Sequence, residues 1–364
     1  MNRVFRKVEI AAIFLVLALV ISVVSCTRSK NEGGKEGAGS SAAGQSGTAQ
    51  IIGAGSTFVY PIMSRWISSF QQSHSGVQIN YQSIGSGGGI QQLKKGLVDF
   101  GASDAALDDT QLKGMPALVQ IPESAGPVCI TYNLPELKEP LKLSPETLSG
   151  IYLGTIKNWQ DAAIKKDNPG ITLPSTPIAV AHRSDGSGTT NIFTTYLDAV
   201  NPEWSKKVGK GISVKWPVGL GGKGSEGVTG IVKQTPGAIG YVELNYAETN
   251  NLPVALVRNK AGQWVRPTAD SATAAVEAFQ QQLKQDVRTR IVDPPPSAKS
   301  AYPISGLTFL LVPKTGTDAK KRADLKAFIS YVVTDGQQFA NELHYAKLPP
   351  FLQQHDQDLI KELQ

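Results

Sequence analysis

Residues 181–193 read Ala-His-Arg-Ser-Asp-Gly-Ser-Gly-Thr-Thr-Asn-Ile-Phe, and this stretch says most about the fold. It runs into apolar residues at helical spacing, namely Ile192, Phe193, Tyr196, Leu197 and Val200. The spacing predicts a helix that begins at Ser187, Gly188 and Thr189, where unpaired N–H groups and the helix dipole attract an anion. Arg183 adds a planar set of donors suited to phosphate or carboxylate. Taken alone, the stretch is equally compatible with an ordinary capped helix.

Two further segments repeat this design of a strand, a glycine turn and a helix. The first turn is Gly53-Ala-Gly-Ser-Thr-Phe58, and Pro61 falls in the first turn of the helix that follows it. The second is Gly85-Ser-Gly-Gly-Gly89, which leads into Ile90, Leu93 and Leu97, with Gly96 as a predicted C-cap. Three such helix starts indicate one oxyanion held by several helix N-termini.

A fourth segment, Val98-Asp-Phe-Gly-Ala-Ser-Asp104, ends a strand-like run with an acid. A carboxylate repels a bare oxyanion, so its presence beside an anion site suggests that the anion carries a proton.

The amino terminus has the features of an export signal. Arg3, Arg6 and Lys7 precede an apolar run from Ile10 to Val24, which is typical of a secretory signal peptide over residues 1–25. Ser25-Cys26 resembles a bacterial lipobox, so Cys26 is the predicted lipidation site. Residues 26–48 are rich in Gly, Ser, Ala and Lys and predict a flexible tether. We therefore expect an exported protein, in the periplasm or at the cell surface, held to a membrane by lipid.

The rest of the 364 residues predicts an α/β protein of two lobes. Strand-like and helix-like segments alternate, which favours mainly parallel sheets flanked by helices. Proline-rich breaks near residues 122–127 and 293–303 predict two crossings between the lobes. The first lobe is expected at residues 49–126 and 303–364, and the second at residues 127–302.

Several other functions lack support in the sequence. The formal net charge of +6 is weak for this length, and no basic run with interleaved aromatics appears, so nucleic acid is not expected. The four His and two Cys lack metal-ligand spacing. Gly219 to Ser225 fails the spacing of a phosphate-binding P-loop and is read as a surface loop near the cleft. We find no nucleophile motif and expect a binding protein without metal or cofactor, and not an enzyme.

These stretches resemble, in order, the substrate-binding protein of the bacterial phosphate-specific ABC transporter. The similarity extends through Ile151-Tyr-Leu-Gly154, Lys215-Trp-Pro-Val-Gly-Leu-Gly-Gly-Lys-Gly224 and Pro236-Gly-Ala-Ile-Gly-Tyr-Val242, and so covers nearly all of the chain after the tether. The resemblance implies a two-lobed periplasmic-binding-protein fold of type II. It also implies a monomer that binds phosphate and delivers it to the permease and ATPase subunits of the transporter.

The resemblance also implies roles for individual residues. The phosphate ligands would be Thr57, Phe58, Ser86, Asp104, Arg183, Ser187, Gly188 and Thr189. Asp104 would accept the proton of the phosphate, while Asp185 would orient Arg183 and Ser56 would support the first turn. Two alternatives stay open: a receptor for sulfate, molybdate or tungstate, whose sites need only donors, and a secreted phosphatase or adhesive phosphate-binding lipoprotein.

Overall fold

The computed structural model describes residues 49–316 and 318–364. The predicted signal peptide and the whole predicted tether, including Cys26, lie outside these residues. The described chain forms eleven strands: β1 Ala49–Gly55, β2 Val77–Ser83, β3 Phe100–Ser103, β4 Leu118–Tyr132, β5 Lys142–Leu143, β6 Ala179–Arg183, β7 Leu220–Gly222, β8 Ala238–Glu243, β9 Leu256–Arg258, β10 Trp264–Val265 and β11 Ser305–Pro313.

Thirteen α-helices surround the strands in the described residues: α1 Tyr60–Ser73, α2 Ser86–Lys94, α3 Asp109–Leu112, α4 Pro145–Tyr152, α5 Ala162–Asp167, α6 Gly188–Val200, α7 Pro202–Lys207, α8 Gly224–Gln234, α9 Leu244–Thr249, α10 Ala269–Ala278, α11 Gln280–Gln285, α12 Ala319–Val333 and α13 Pro350–Lys361. Two short 3-10 turns, at Asp335–Phe339 and Asn341–Leu343, separate α12 from α13.

One eight-stranded sheet runs through both lobes in the order β2-β1-β3-β11-β4-β8-β6-β7. The strands at each end of the sheet run parallel to their neighbours: β1 pairs in parallel with β2 and β3, and β6 pairs in parallel with β7 and β8. The central strands β11 and β4 are antiparallel to each other and to their outer neighbours. The α/β prediction is therefore confirmed, with antiparallel pairing confined to the centre.

The central strands join the two lobes, because β4 pairs with β11 along its first half and with β8 along its second. The predicted boundary at residues 126/127 falls inside β4, and the boundary at 302/303 falls just before β11 begins. These two positions coincide with the proline-rich breaks, although the exact lobe limits stay a prediction.

Most helix starts follow the sequence pattern. Pro61 lies in the first turn of α1, Ser187 caps α6 by accepting from the Thr190 N–H at 3.1 Å, and Asp318 caps α12. Gly96 has a positive φ of 66° after α2, as a C-terminal glycine requires. Cys129, in β4, is fully buried.

Two predictions about local structure are wrong. Leu97 is not on the buried face of α2, because the helix ends at Lys94 and Leu97 is 63% exposed. Gly219 to Ser225 is not a loop: Leu220–Gly222 form the edge strand β7 beside β6, and Gly224 begins α8. Pairing with β6 supplies the main-chain partners that the short glycine-rich sequence did not reveal.

The core of the described chain is continuous across both lobes, with Trp66, Trp159 and Trp204 fully buried. Over residues 49–316 and 318–364, no helix combines the length and the apolar character that crossing a bilayer requires.

Candidate functional site

Helix N-termini from both lobes converge on one buried point. The strand-to-helix turns before α1 and α2 belong to the first lobe, and the start of α6 belongs to the second. The main-chain N–H groups of Thr57, Phe58, Ser86 and Thr189 have no hydrogen-bond acceptor within the described part of the chain. Unpaired N–H groups at helix starts are an anion-binding arrangement, because their dipoles point at the same place.

Ser86 connects the two lobes at this point. Its side chain is 1% exposed, and its Oγ accepts from the Gly188 N–H at 3.0 Å and from the Asp104 N–H at 3.4 Å. The next residue, Gly87, donates its N–H to the Gly186 carbonyl at 2.9 Å. The start of α2 is therefore bonded directly to the start of α6, and the cleft between the lobes is closed.

Asp104 lies in the closed cleft and is 4% exposed. One carboxylate oxygen accepts from the Ser56 hydroxyl and from the Thr308 hydroxyl, the latter at 3.3 Å. The other oxygen accepts from the Thr189 hydroxyl at 3.1 Å. Burial raises the pKa of Asp104 to about 6, while the hydrogen bonds from Ser56 and Thr189 oppose this rise. Asp104 is thus mainly an ionised acceptor at neutral pH.

Gly188 permits the close approach of α6 to Asp104. A Cβ at this position would lie 2.6 Å from the Asp104 nitrogen and 2.7 Å from the Ser86 Oγ. These are main-chain and short side-chain atoms that have no room to move, so any larger residue would force the two helix starts apart.

Arg183 is the buried cation of the site, with a side chain that is 2% exposed. Its Nε and Nη2 donate to the two carboxylate oxygens of Asp185 at 2.8 and 2.5 Å. Its Nη1 makes no hydrogen bond to any residue that the structure describes, so donors remain for a ligand. Burial alone would lower the pKa of Arg183, but the Asp185 carboxylate raises it, and the cation stays charged.

Asp185 and Gly85 hold this cation in place. Burial opposes ionisation of Asp185, but the hydrogen bonds and charge of Arg183 and the N–H of Gly224 hold its pKa below the usual range. Gly85 has a positive φ of 83°, and a Cβ there would collide with the Asp185 carboxylate. The glycine before α2 therefore gives the ion pair its space.

The structure thus brings together all ten residues that the sequence singled out in this part of the chain: Ser56, Thr57, Phe58, Ser86, Asp104, Arg183, Asp185, Ser187, Gly188 and Thr189. Each of them belongs to the helix starts or to the charged groups between them.

Sequence reasoning missed a fourth helix start, that of α8. Ser225 donates its N–H to the Thr57 Oγ1 at 3.2 Å, and the two hydroxyls lie 2.8 Å apart. Tyr246 donates its hydroxyl to the Thr57 carbonyl at 2.6 Å, again across the lobes. The Gly224-Ser225 pair before an apolar helical pattern was the available signal. Thr308, inside the apolar strand β11, offered none.

A cavity of about 440 Å³ adjoins the site. It includes Asp104 in its wall but none of Thr57, Arg183 or Ser187. It is therefore a neighbouring space between the lobes and not the point where the helix starts meet.

Comparison with known proteins agrees with this geometry. A family model described as a PBP superfamily domain matches residues 40–336. The phosphate-binding protein PstS of Xylella fastidiosa strain Temecula1 is 45% identical over 310 residues, which cover 85% of this chain and 84% of that protein. The chain belongs to the PstS family of phosphate-binding proteins. The family member from Methanocaldococcus jannaschii is 39% identical over 352 residues, covering 90% of this chain and 89% of the relative.

A solved structure supports the fold of this family. A high-affinity periplasmic phosphate-binding protein bound with phosphate at pH 8.5 superposes with a TM-score of 0.68 and 22% identity, covering 85% of this chain and 93% of that protein. The predicted periplasmic-binding-protein fold is therefore confirmed. The relatives are named as binding proteins, in agreement with the prediction that this chain is not an enzyme.

Proposed function

We propose that the protein binds inorganic phosphate between its two lobes and delivers it to an ABC transporter for import. The observation that carries this proposal is the convergence of three helix N-termini on one buried point that also contains Arg183 and Asp104. Thr57, Phe58, Ser86 and Thr189 would bind phosphate oxygens through main-chain N–H groups, with added hydroxyl donors. Ser187 and Gly188 would shape the start of α6 around the ligand.

Charge explains why phosphate is preferred over other oxyanions. Arg183 and the helix dipoles offset negative charge in a site from which water is excluded. Asp104 can accept a hydrogen bond from the proton that phosphate retains near neutral pH, whereas sulfate has no such proton and would be repelled. A donor-only receptor for sulfate, molybdate or tungstate does not need this carboxylate, and the names of the relatives do not favour a phosphatase or an adhesive lipoprotein.

Transport would follow from the way the lobes meet. Ser86, Gly87 and Thr57 of the first lobe bond directly to groups of the second. Ligand binding would favour this closed arrangement over an open one by hinge motion about β4 and β11, and the closed form would dock on the permease and its ATPase. We propose that residues 49–126 and 303–364 form the first lobe and residues 127–302 the second. We also propose that the protein is a monomer.

Isothermal titration tests the ligand directly. We expect phosphate and arsenate, which both retain a proton near neutral pH, to bind one per chain, and sulfate to give no heat even in large excess. Strong sulfate binding would instead favour a general oxyanion receptor. Hydrolysis of a phosphate ester by the same preparation would point to an enzyme.

We also propose that the protein is exported and anchored by lipid at Cys26. The apolar run from Ile10 to Val24 followed by Ser25-Cys26 supports this, and residues 26–48 would act as the tether. A single acyl chain binds membranes only marginally, so attachment would need diacylation.

Replacement of the lipidation site tests the anchor. Cys26→Ala expressed in a bacterial host should yield unprocessed or soluble protein, because no thiol would be available for acylation. Membrane fractionation and intact mass spectrometry give the readout, and Cys129→Ala is a matched control that should stay membrane-bound. An unchanged partition and mass for Cys26→Ala would refute the anchor.

A further inference from the structure

Behind the candidate site lies a buried acid that the proposed function does not use. Glu123, in β4, is 0% exposed. Its Oε1 lies 3.0 Å from the Thr308 hydroxyl, while its Oε2 has no hydrogen-bond partner within the described chain. No Lys, Arg or His among the described residues forms an ion pair with it. An ionised carboxylate that is buried without a counter-charge carries a large free-energy cost of desolvation, which favours the protonated form of Glu123.

Thr308 connects this acid to the site. Its Oγ1 lies 3.0 Å from the Glu123 Oε1 and 3.3 Å from the Asp104 Oδ1. A hydroxyl carries one proton and can donate to only one of these oxygens at a time. If both acids were ionised they would compete for that proton, and two negative charges would face each other across a single side chain.

A proton on Glu123 resolves the competition. The protonated carboxyl donates to the Thr308 oxygen, which frees the Thr308 hydroxyl to donate to Asp104. The hydrogen bonds then all point towards Asp104, whose carboxylate stays ionised and keeps its other lone pairs for the ligand.

We propose that Glu123 is a positioning residue: held neutral, it orients the Thr308 hydroxyl towards Asp104 and so keeps Asp104 an ionised acceptor for the phosphate proton. This inference rests on the proposed function. The electrostatics agree with it, because burial, with a smaller contribution from the charge of Asp104, raises the pKa of Glu123 to about 8 against the opposing hydrogen bond from Thr308.

The surroundings of Glu123 contain few other titratable groups. Asp104 follows β3, and Tyr81 of β2 is the other group in electrostatic contact, with a pKa raised well above its ordinary value by burial. Thr308 of β11 does not titrate, and Gln337 of the 3-10 turn donates to the main-chain carbonyls of Glu123 and Val332, at 2.9 and 2.8 Å, and not to the Glu123 carboxyl. Glu243 of β8 is a further buried carboxyl in electrostatic contact with Asp104, and burial raises its pKa well above the ordinary value. The Glu123→Gln variant therefore decides whether a proton lost in this region near pH 8 comes from Glu123.

The proposal predicts the direction in which phosphate affinity changes with pH. Above the pKa of Glu123 the free protein loses the proton, and a bound phosphate dianion favours its return. Phosphate binding should then take up a proton, and affinity should fall as pH rises, by at most about ten-fold per pH unit. Below about pH 8 inorganic phosphate also changes its own protonation, for wild type and variants alike, whereas between about pH 8 and 9.5 it is almost entirely the dianion with one proton and does not produce the effect.

The experiment compares wild type, Glu123→Gln, Thr308→Val and Thr308→Ser by phosphate titration calorimetry at about pH 7 to 9.5, in buffers of different ionisation enthalpy. Wild type should lose affinity above about pH 8 with proton uptake. Glu123→Gln still donates to Thr308 but cannot ionise, so it should bind phosphate about as well as wild type at about pH 7, with a flat affinity profile and no proton uptake above about pH 8. Thr308→Val should weaken binding roughly ten-fold at pH 7, and Thr308→Ser should restore it.

The outcomes separate this inference from the proposed function. A flat wild-type profile, or the same decline in Glu123→Gln, would overturn the role of Glu123 while leaving phosphate binding intact. Absence of phosphate binding by wild type at pH 7 would overturn the proposed function instead. In either case carbon-13 NMR of the Glu123 carboxyl, assigned with Glu123→Gln, reads its protonation without ligand, and titration at an ordinary glutamate pKa would refute the proposal. Thermal unfolding checks that each variant is folded.

Discussion

Arg183→Ala should weaken phosphate binding by about 30-fold to several thousand-fold. Removing one partner of a buried, hydrogen-bonded charge pair typically costs about 2–5 kcal/mol. Arg183 is the site's buried cation, with a side chain only 2% exposed, and its loss would also leave Asp185 without its main counter-charge. Titration calorimetry at fixed salt measures the change, and thermal unfolding verifies the fold.

Arg258→Ala is the matched control for this variant. Arg258 belongs, like Arg183, to the second lobe, but its side chain is 38% exposed and pairs with Glu146, which is 73% exposed. The same change in charge there should alter phosphate affinity by less than about three-fold, since exposed pairs contribute little. Near-normal affinity for Arg183→Ala would mean that the helix N-termini hold the anion without a cation.

Asp104→Asn should weaken discrimination against sulfate. The substitution removes the charge that repels a fully ionised oxyanion and provides an amide that can donate. Because like-charge contacts in buried sites cost several kcal/mol, we expect sulfate affinity to rise by at least about ten-fold. Phosphate affinity should change less, since the lost charge-assisted hydrogen bond is offset by weaker repulsion. Competition titrations with phosphate and sulfate measure both effects.

The pH dependence of sulfate binding gives an independent test of Asp104. Its pKa is about 6, so the free carboxylate gains a proton as pH falls through this value, and bound sulfate would favour that proton further. Wild type should therefore begin to bind sulfate in mildly acidic solution, while Asp104→Asn should bind it equally at all these pH values. Asp358→Asn, an exposed site with the same charge change, should behave as wild type. An Asp104→Asn variant as selective as wild type would locate discrimination elsewhere.

Local sequence patterns were enough to locate the helix starts of the site. A glycine or hydroxyl residue at the end of a strand, followed by apolar residues at helical spacing, predicts where unpaired N–H groups will lie, because this depends on residues close together in the chain. Ser86 and Ser187 were found in this way. The same patterns predict helix ends less accurately: α2 ends at Lys94, three residues before Leu97, which the apolar spacing includes in the helix.

The specific roles of Asp104 and Arg183 were inferred with the help of family resemblance. The residues themselves indicate that Arg183 offers donors to an anion and that an acid at Asp104 fits an anion that carries a proton. Their burial, and the hydrogen bonds from Ser56, Thr189 and Thr308 that keep Asp104 an acceptor, depend on strands and helices from three distant parts of the chain.

By itself, the sequence determined the alternation of strands and helices, the turns that begin α1, α2 and α6, and the charged residues beside them. Only the tertiary structure decided that Ser225 and Tyr246 bond to Thr57, and that Glu123 reaches Asp104 through Thr308. Positions 57 and 225 are 168 residues apart, and positions 123 and 308 are 185 apart. Short-range periodicity reports which face of an element is buried. It carries no information on which elements meet, because that depends on strand order and on packing between the lobes.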